Sequence, residues 1–382
     1  MIKLLTIIGA RPQIIKAAAI SREIALHFAD RIEEKILHTG QHYDSNMSDV
    51  FFEELGIPLP DYNLGVGSAS HGAQTAKMIE GIEQILQKES FDGVILYGDT
   101  NSTLAGAVAA SKVHVPIFHI EAGLRSFNME MPEEINRIVC DQLSSILFPP
   151  TATACKNLHN EGFDNSKATF PNGCKRLVVN SGDVMYDNSL HYSGISSNHS
   201  SIIKDLRLEP ESYILSTIHR NNNTDDPSRL EAIINALLDI ADRDKIKVIL
   251  PLHPRTAKIL PNNLSDKVYC RLLINSEWIR IIPPVSFFEI IELEKNAKLV
   301  MTDSGGVQKE SFFFEKPCVI LRPETEWVEI VEHNAGIIAN ADYHRIVEAY
   351  DTLSHSQVSF PPLFGDGHAA KKILENIINY LQ

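Results

Sequence analysis

The chain of 382 residues is 44% hydrophobic and 22% charged, the balance of a globular protein, and it exceeds the roughly 150 residues of one comfortable core, so two domains are expected. Its 35 basic and 49 acidic side chains leave a formal charge of −14, which excludes a sequence-independent grip on nucleic acid or on an anionic membrane; an anionic small ligand would need its positive charge supplied locally. No apolar run is long enough to cross a bilayer, and the five cysteines (Cys140, Cys155, Cys174, Cys270, Cys318) are odd in number without metal-type spacing, as reduced thiols of a cytosolic protein would be.

In chain order, short apolar, β-branched runs alternate with longer helical patterns. The run Leu4–Ile8 is followed directly by Arg11 and Lys16 without a small-residue cleavage site, so it reads as a strand and not as a signal core. Further strands are expected at Lys35–His38, Gly93–Tyr97, Pro116–Ile120, Ser145–Phe148 and Arg176–Val179, then at Tyr213–Thr217, Lys247–Leu252, Ile279–Ile282, Lys298–Met301, Cys318–Leu321 and Gly336–Ala339. Between them Ile14–Phe28, Gly72–Gln87, Pro227–Asp242 and Phe287–Asn296 space their apolar residues three and four apart, the helical period. Continuous apolar strands between helices predict parallel sheets covered on both faces: an α/β chain of two Rossmann-like, doubly wound domains. A boundary is placed near Gly182–Asp187, giving domains 1–182 and 183–364, and 365–382 is a final amphipathic helix, HAAKKILENIINYL. Just past the boundary, the Ser-rich stretch Ser193–Ser201 reads as a surface loop.

Nearly every expected strand runs into a polar cluster at its carboxyl end. The clusters are Gly9–Pro12, Thr39–His42, Gly98–Ser102, Glu121–Arg125, His219-Arg220, His253–Arg255, Asp303–Gly306 and Arg322. Open parallel sheets bind ligands outside the carboxyl ends of their strands, so two facing sheets would gather these groups around one ligand. Ser304-Gly305-Gly306 opens a helix whose free N–H groups suit a phosphate, with Glu310 one turn on for ribose hydroxyls. Arg11, Lys16 and Arg322 suit a diphosphate, and Arg125, His253 and Arg255 are further candidates for the substrate. Asp99, Glu121 and the pair Glu133-Glu134 suit general acid and base work, and His219 a contact to phosphate and reacting sugar.

Each has a plainer reading. Ser-Gly-Gly is also a turn that needs positive φ, Asp99 also a helix cap, and Glu133-Glu134 after Pro132 also an ordinary acidic first turn. Phe312–Phe314 reads as core, and His42, His71 and His119 as hydrogen-bonded structural groups. The fifteen histidines contain no HExxH, and no metal is expected.

The segments IGARPQIIK (Ile8–Lys16), TGQH (Thr39–His42), YGDTNSTLAG (Tyr97–Gly106), HIEAGLRS (His119–Ser126), MPEEINR (Met131–Arg137), HR (His219-Arg220), HPRT (His253–Thr256), TDSGGVQKE (Thr302–Glu310) and ETEW (Glu324–Trp327) together resemble the non-hydrolysing UDP-N-acetylglucosamine 2-epimerases over almost the whole chain. The resemblance implies the glycosyltransferase-B architecture, with the active site between the domains, a homodimer, and a C-terminal helix that returns to the first domain. It implies an isomerase that inverts C2 of a UDP-linked N-acetylated sugar for surface polysaccharide, by anti elimination of UDP and its re-addition, without metal or nicotinamide. On this resemblance Asp99, Glu121, Glu133 and His219 match catalytic residues. Arg11, Lys16, Ser304, Gly305, Gly306, Glu310 and Arg322 match UDP-binding ones. Gln41 and His42 lie where some members carry a second, regulatory UDP-sugar site, which is not assigned here.

Asn221–Asn223 stands where the family usually has Ala-Glu-Asn, Pro323 where an Asp is common, and the loop Ser126–Met131 is short. The short loop, GDVMYD (Gly182–Asp187) and ETEW resemble more closely the branch acting on UDP-2,3-diacetamido-2,3-dideoxyglucuronate. Competing readings are a hydrolysing epimerase that releases free N-acetylmannosamine and UDP, a UDP-sugar transferase on the same architecture, and a non-catalytic nucleotide-sugar sensor.

Overall fold

The computed structural model describes residues 1–41, 52, 55–163, 176–252 and 254–382. They form two compact units, Met1–Asn188 with Pro362–Gln382, and Ser189–Pro361. The division falls inside the helix Val184–His199, a little beyond the boundary read from the sequence.

The first unit holds β1 (Ile2–Ile8), β2 (Ile32–His38), β3 (Tyr62–Asn63), β4 (Gly93–Tyr97), β5 (Ile117–Ile120), β6 (Ile146–Phe148) and β7 (Leu177–Val178) in the order β3-β2-β1-β4-β5-β6-β7, all parallel. The second holds β8 (Tyr213–Thr217), β9 (Lys247–Pro251), β10 (Ile279–Ile282), β11 (Leu299–Thr302), β12 (Cys318–Ile320) and β13 (Gly336–Ile338) in the order β10-β9-β8-β11-β12-β13, again all parallel. Strands buried on both faces need apolar side chains in every position. Gly93–Tyr97 is buried throughout, and each such Val, Ile or Leu contributes about 1.5–3 kcal/mol on leaving water.

Chain order reverses between β1 and β4 in the first sheet and between β8 and β11 in the second. Connections leave such a point in opposite directions, and a crevice opens at the carboxyl ends. In the first unit Gln13 ties that point together. Its carbonyl oxygen accepts from the Gly9 and Ala10 amides at 2.9 and 3.2 Å, and its amide donates to the Tyr97 carbonyl and Thr103 Oγ1, each at 2.9 Å. A buried amide whose donors and acceptor are all used fixes β1, β4 and the helix Asn101–Lys112 in one register.

One local expectation fails and one strand was not read from the sequence. The Ser-rich stretch is not a loop up to His199: it continues the helix Val184–His199, with Ser196 buried and hydrogen-bonded to Glu292, and Tyr192 edge-on to Phe287 at 5.0 Å. Tertiary packing overrides the weak helix propensity of Ser and Gly. The short β3 lacks the length that gives a strand a readable pattern. The final helix, Ala369–Leu381, packs in the first unit on the helix Arg11–Glu23, with Tyr380 edge-on to Phe118 at 5.9 Å. Asp187 accepts from its Ala369 and Ala370 amides at 3.0 and 2.8 Å, satisfying two donors that a helix start leaves open.

Candidate active site

The first unit gathers its polar groups at the β1/β4 switch point. Asp99 follows Gly98 at the end of β4 and does not cap the next helix: Thr100 does, accepting from the Thr103 amide. The Asp99 carboxylate instead pairs with Arg137, which also meets Glu134 at 3.1 Å. Asn136 donates to the Asp99 carbonyl at 2.9 Å, fixing the main chain beside it. Burial pushes the Asp99 carboxyl up; Arg137 and Lys16 oppose this, Glu121 and Glu133 add to it, and the net shift is upward. A carboxyl held above its ordinary range is suited to give and take protons near neutral pH.

Glu121, at the end of β5, is paired with Lys16 of the helix Arg11–Glu23, and both side chains are largely buried. Glu121 has φ of 68° and Gly98 of 61°, the left-handed region that costs a side-chain-bearing residue about 1–2 kcal/mol. A Cβ on Gly98 would stand 3.0 Å from Glu121 Oε2 and 3.3 Å from Lys16 Nζ, so glycine there makes room for the ion pair.

Of the two glutamates after Pro132, Glu134 is buried and accepts from the Ser126 and Phe127 amides, which makes it scaffold. Glu133 is exposed in the first turn of the helix Pro132–Leu143. Arg125 is turned inward. Its side chain is 1% exposed and committed to Asp141 at 2.7 Å, Glu161 at 2.6 Å and the Leu124 carbonyl at 2.7 Å, a correction to its expected substrate contact. Arg11 is exposed at the start of its helix.

The second unit places its groups at the β8/β11 switch point. Ser304 caps the helix Gly305–Phe313. Neither Gly305 nor Gly306 has a positive φ, so the reading of Ser-Gly-Gly as a turn that needs glycine for its backbone does not hold. A Cβ at Gly306 would meet only Ser304 Oγ at 3.8 Å, so packing does not demand glycine either. What two glycines leave is a helix start that a ligand can approach closely. Glu310 is half-buried one turn further on. Arg322 is buried, held by Glu326 at 2.8 and 2.9 Å, with Nη1 3.7 Å from the Cβ position of Gly305. Phe312 and Phe313 are core, as expected.

His219 is half-exposed, and its Nδ1 lies 3.1 Å from Asp303 Oδ1. Because a carboxylate only accepts, Nδ1 carries the proton and Nε2 faces outward. Asp303, fully buried, also accepts from the His219 and Arg220 amides, each at 3.1 Å, and from Asn223 at 3.1 Å. Burial pushes its carboxyl up, but His219, the Arg220 amide and Asn223 pull it down further, and it lies below the ordinary range. Asn223 is buried and fully bonded, donating also to the Leu321 carbonyl at 2.9 Å and accepting from Arg229 at 2.9 Å. Asn222 is exposed. Arg255 is exposed and held by Asp225 at 2.5 and 2.7 Å and by Asn221 at 2.5 Å. His253, His42 and Cys174 lie outside the described residues. Among those described, no group of three His, Cys, Asp or Glu side chains gathers as a metal site would, and no helix is long and apolar enough to cross a membrane.

Sequence reasoning missed Asp303, Arg137 and Asp141 as organisers of the site. The signal for Asp303 was its place beside Ser304; for Arg137 and Asp141 it was helical spacing from Glu134, which places them on the buried face of that helix.

Residues 24–378 match the family model of UDP-N-acetylglucosamine 2-epimerase. The chain is 48% identical over 374 residues to the UDP-2,3-diacetamido-2,3-dideoxy-D-glucuronate 2-epimerase of Pseudomonas aeruginosa, covering 98% of each. It is 40% identical to the UDP-N-acetylglucosamine 2-epimerase of Methanocaldococcus jannaschii, covering 99% of each. The crystal structure of that archaeal enzyme in complex with UDP-GlcNAc and UDP superposes with a TM-score of 0.84, at 38% identity, over 99% of this chain and 100% of the other.

Proposed function

The chain belongs to the UDP-N-acetylglucosamine 2-epimerase family, and from that premise we propose the reaction it runs. It is an isomerase, a UDP-sugar 2-epimerase, and the substrate is a UDP-linked N-acetylated sugar inverted at C2 by loss and return of UDP. In the first step the C2–H bond breaks and its proton passes to a carboxylate of the first unit. The freed electron pair forms the C1=C2 double bond, and the C1–O bond breaks with its pair leaving on UDP. In the second step C2 takes a proton on the opposite face and a UDP oxygen rejoins C1. The observation that carries this reading is Asp99 at a strand end, paired with Arg137 yet raised above its ordinary range by burial.

Asp99, Glu121 and Glu133 are the proton-transfer groups in this proposal. Oriented through Nδ1 by Asp303, a His219 that carries a second proton, on Nε2, donates it in a hydrogen bond to the departing phosphate oxygen. Ser304, Gly305 and Gly306 seat the diphosphate, Glu310 takes the ribose hydroxyls, and Arg11, Lys16, Arg322 and Arg255 supply positive charge. The relative that acts on the diacetamido uronic acid sugar is nearer in sequence than the archaeal one, so that sugar is the first substrate to test. UDP-N-acetylglucosamine is the second.

Proton NMR in D₂O tests the reading with either substrate. Expected is loss of the C2 proton signal and growth of a UDP-linked manno product. Free N-acetylmannosamine would instead mark the hydrolysing route, and product formed without deuterium at C2 would overturn the elimination. Weakened UDP binding in Glu310→Ala and Arg322→Ala proteins tests the nucleotide seat; unchanged affinity in both removes it.

The acting form proposed is a cytoplasmic homodimer. Phe127, Met129 and Ile135, 78%, 60% and 42% exposed, are apolar side chains of the first unit that a second copy would cover. Light scattering checks this.

A further inference from the structure

We propose that His119 is a permanently protonated imidazolium which, with Asp141, sets the two strand-end turns that carry Asp99 and Glu121. This rests on the reading that those two carboxylates act on the sugar. His119 lies on β5 and is fully buried, with both ring nitrogens in use: Nδ1 is 2.7 Å from Asp141 Oδ1, and Nε2 is 2.7 Å from the Gly98 carbonyl oxygen. A carbonyl oxygen can only accept, so Nε2 carries a hydrogen.

Nδ1 carries one as well, because Asp141 is surrounded by donors. Its Oδ2 accepts from the Gly123 amide at 3.1 Å and from Arg125 Nη2 at 2.7 Å. A carboxylate facing an amide, a guanidinium and an imidazole stays ionised, and an ionised carboxylate cannot donate to a bare Nδ1. The charges balance along the chain His119, Asp141, Arg125, Glu161. The titratable groups that face the ring are Cys140 and Asp141 of the helix Pro132–Leu143, with Arg125 behind Asp141. Burial pushes the imidazolium down, but Cys140 and Asp141 push it up by more, so its net displacement is upward.

What the pair holds is backbone. Gly98, Glu121 and Gly123 have φ of 61°, 68° and 75°. Through His119 the Asp141 carboxylate fixes the Gly98 carbonyl, one residue before Asp99. Directly it fixes the Gly123 amide, two residues after Glu121. One buried ion pair thus anchors both turns, and the strain at Glu121 is sustained by its neighbours.

The test uses the full-length protein. In ¹⁵N-histidine NMR, with His119 assigned by its absence from His119→Gln protein, both ring nitrogens should keep imidazolium shifts from pH 6 to 9. A neutral tautomer at pH 7 overturns the proposal, whatever the activity. Asp141→Asn should make the ring neutral at pH 7 and lower kcat about 100-fold with KM within about threefold, since misplaced reacting groups lose rate before binding. His119→Gln, which keeps a donor for the Gly98 carbonyl, should fall less than His119→Phe. Asp141→Asn protein that loses thermal stability but keeps its kcat per folded molecule would reduce the pair to scaffold and overturn the positioning role. Should His119→Phe fail to fold, Asp141→Asn and the NMR spectrum decide. Asp99→Asn is the control: full activity there removes Asp99 from the reaction and leaves the protonation result standing.

Discussion

At the ends of β4 and β5 the first unit sets carboxylates against cations, Asp99 against Arg137 and Glu121 against Lys16. At the ends of β8 and β11 the second unit sets one buried carboxylate, Asp303, beneath main-chain amides and His219, and leaves a helix start above it. The sheets share a topology, and the difference lies in what each switch point is for. A group that exchanges protons needs a poised pKa, which burial raises and charged neighbours at close range adjust. A seat for an anion needs donors that the protein has not already used, so its own negative charge belongs underneath, holding the loop and not facing the ligand.

If that division is right, the largest effect comes from the proton-transfer side. Asp99→Asn keeps the shape and removes the titration, and kcat should fall by about 10³-fold, or ~4 kcal/mol of barrier. UDP affinity, measured by calorimetry, should stay within a factor of two or so of wild type. A comparable loss of UDP affinity would break the comparison by showing that Asp99 also holds the nucleotide.

On the binding side the matching change is Asp303→Ala. It leaves two amides, Asn223 and His219 without their acceptor, and removing a buried hub of this kind costs about 3 kcal/mol. Urea unfolding followed by hydrogen exchange should show the loss in residues 189–361 and in UDP affinity. A protein as stable as wild type would mean that Asp303 orients His219 without supporting the loop.

Two buried aspartates, one in each unit, answer to pH with opposite sign. Asp187, against the final helix, is pushed up to about 6 by burial, against the 3.8 of an ordinary Asp. Its native state therefore holds a proton that the unfolded chain has released, so stability is greatest below the unfolded value and declines as pH rises to about 6, by roughly 2–3 kcal/mol. Asp303 is depressed, so its contribution is present above the ordinary Asp value and is lost as pH falls through its native one. Hydrogen exchange at pH 4.5 and 7 should show the final helix, Ala369–Leu381, less protected at pH 7, after correction for intrinsic rates. Asp187→Asn should remove the part of that dependence seen at the final helix and leave the contribution of Asp303 unchanged.

How much of this could be read from the chain follows from what each feature needs. The strands were legible because a strand buried on both faces is largely apolar, as Gly93–Tyr97 is throughout and Tyr213–Thr217 is over Tyr213–Leu215. Asp99, Glu121 and Ser304–Gly306 were singled out because polar residues directly after such runs are conspicuous. Arg125 looked like a ligand group for the same reason, and only its buried ion pairs with Asp141 and Glu161 reveal it as scaffold. Which charge meets which is a tertiary fact. Arg137 and Asp141 sit on a helix remote in sequence from the carboxylate and the imidazole they hold, and no spacing along the chain records those pairs. The Ser-rich helix was missed for a related reason: Ser196 and Tyr192 are helical because of Glu292 and Phe287, nearly a hundred residues away.

The smallest effect tests how finely the first unit is built. Gly98→Ala adds one methyl group at φ of 61°, 3.0 Å from Glu121 Oε2 and 3.3 Å from Lys16 Nζ. The backbone term costs about 1–2 kcal/mol, and thermal unfolding should show it. The methyl must also part the ion pair or move the Gly98 carbonyl off His119, so kcat should fall about tenfold while UDP affinity holds. Gly306→Ala is the counterpart in the second unit. Its φ is not in the left-handed region and its Cβ meets only Ser304 Oγ at 3.8 Å, so the fold should gain or lose little, whereas UDP affinity should drop as the methyl enters the anion's approach. The two alanines thus exchange signatures, rate and stability for one, affinity for the other. If both changed affinity alone, the distinction between a site built on paired charges and one built on open donors would not stand.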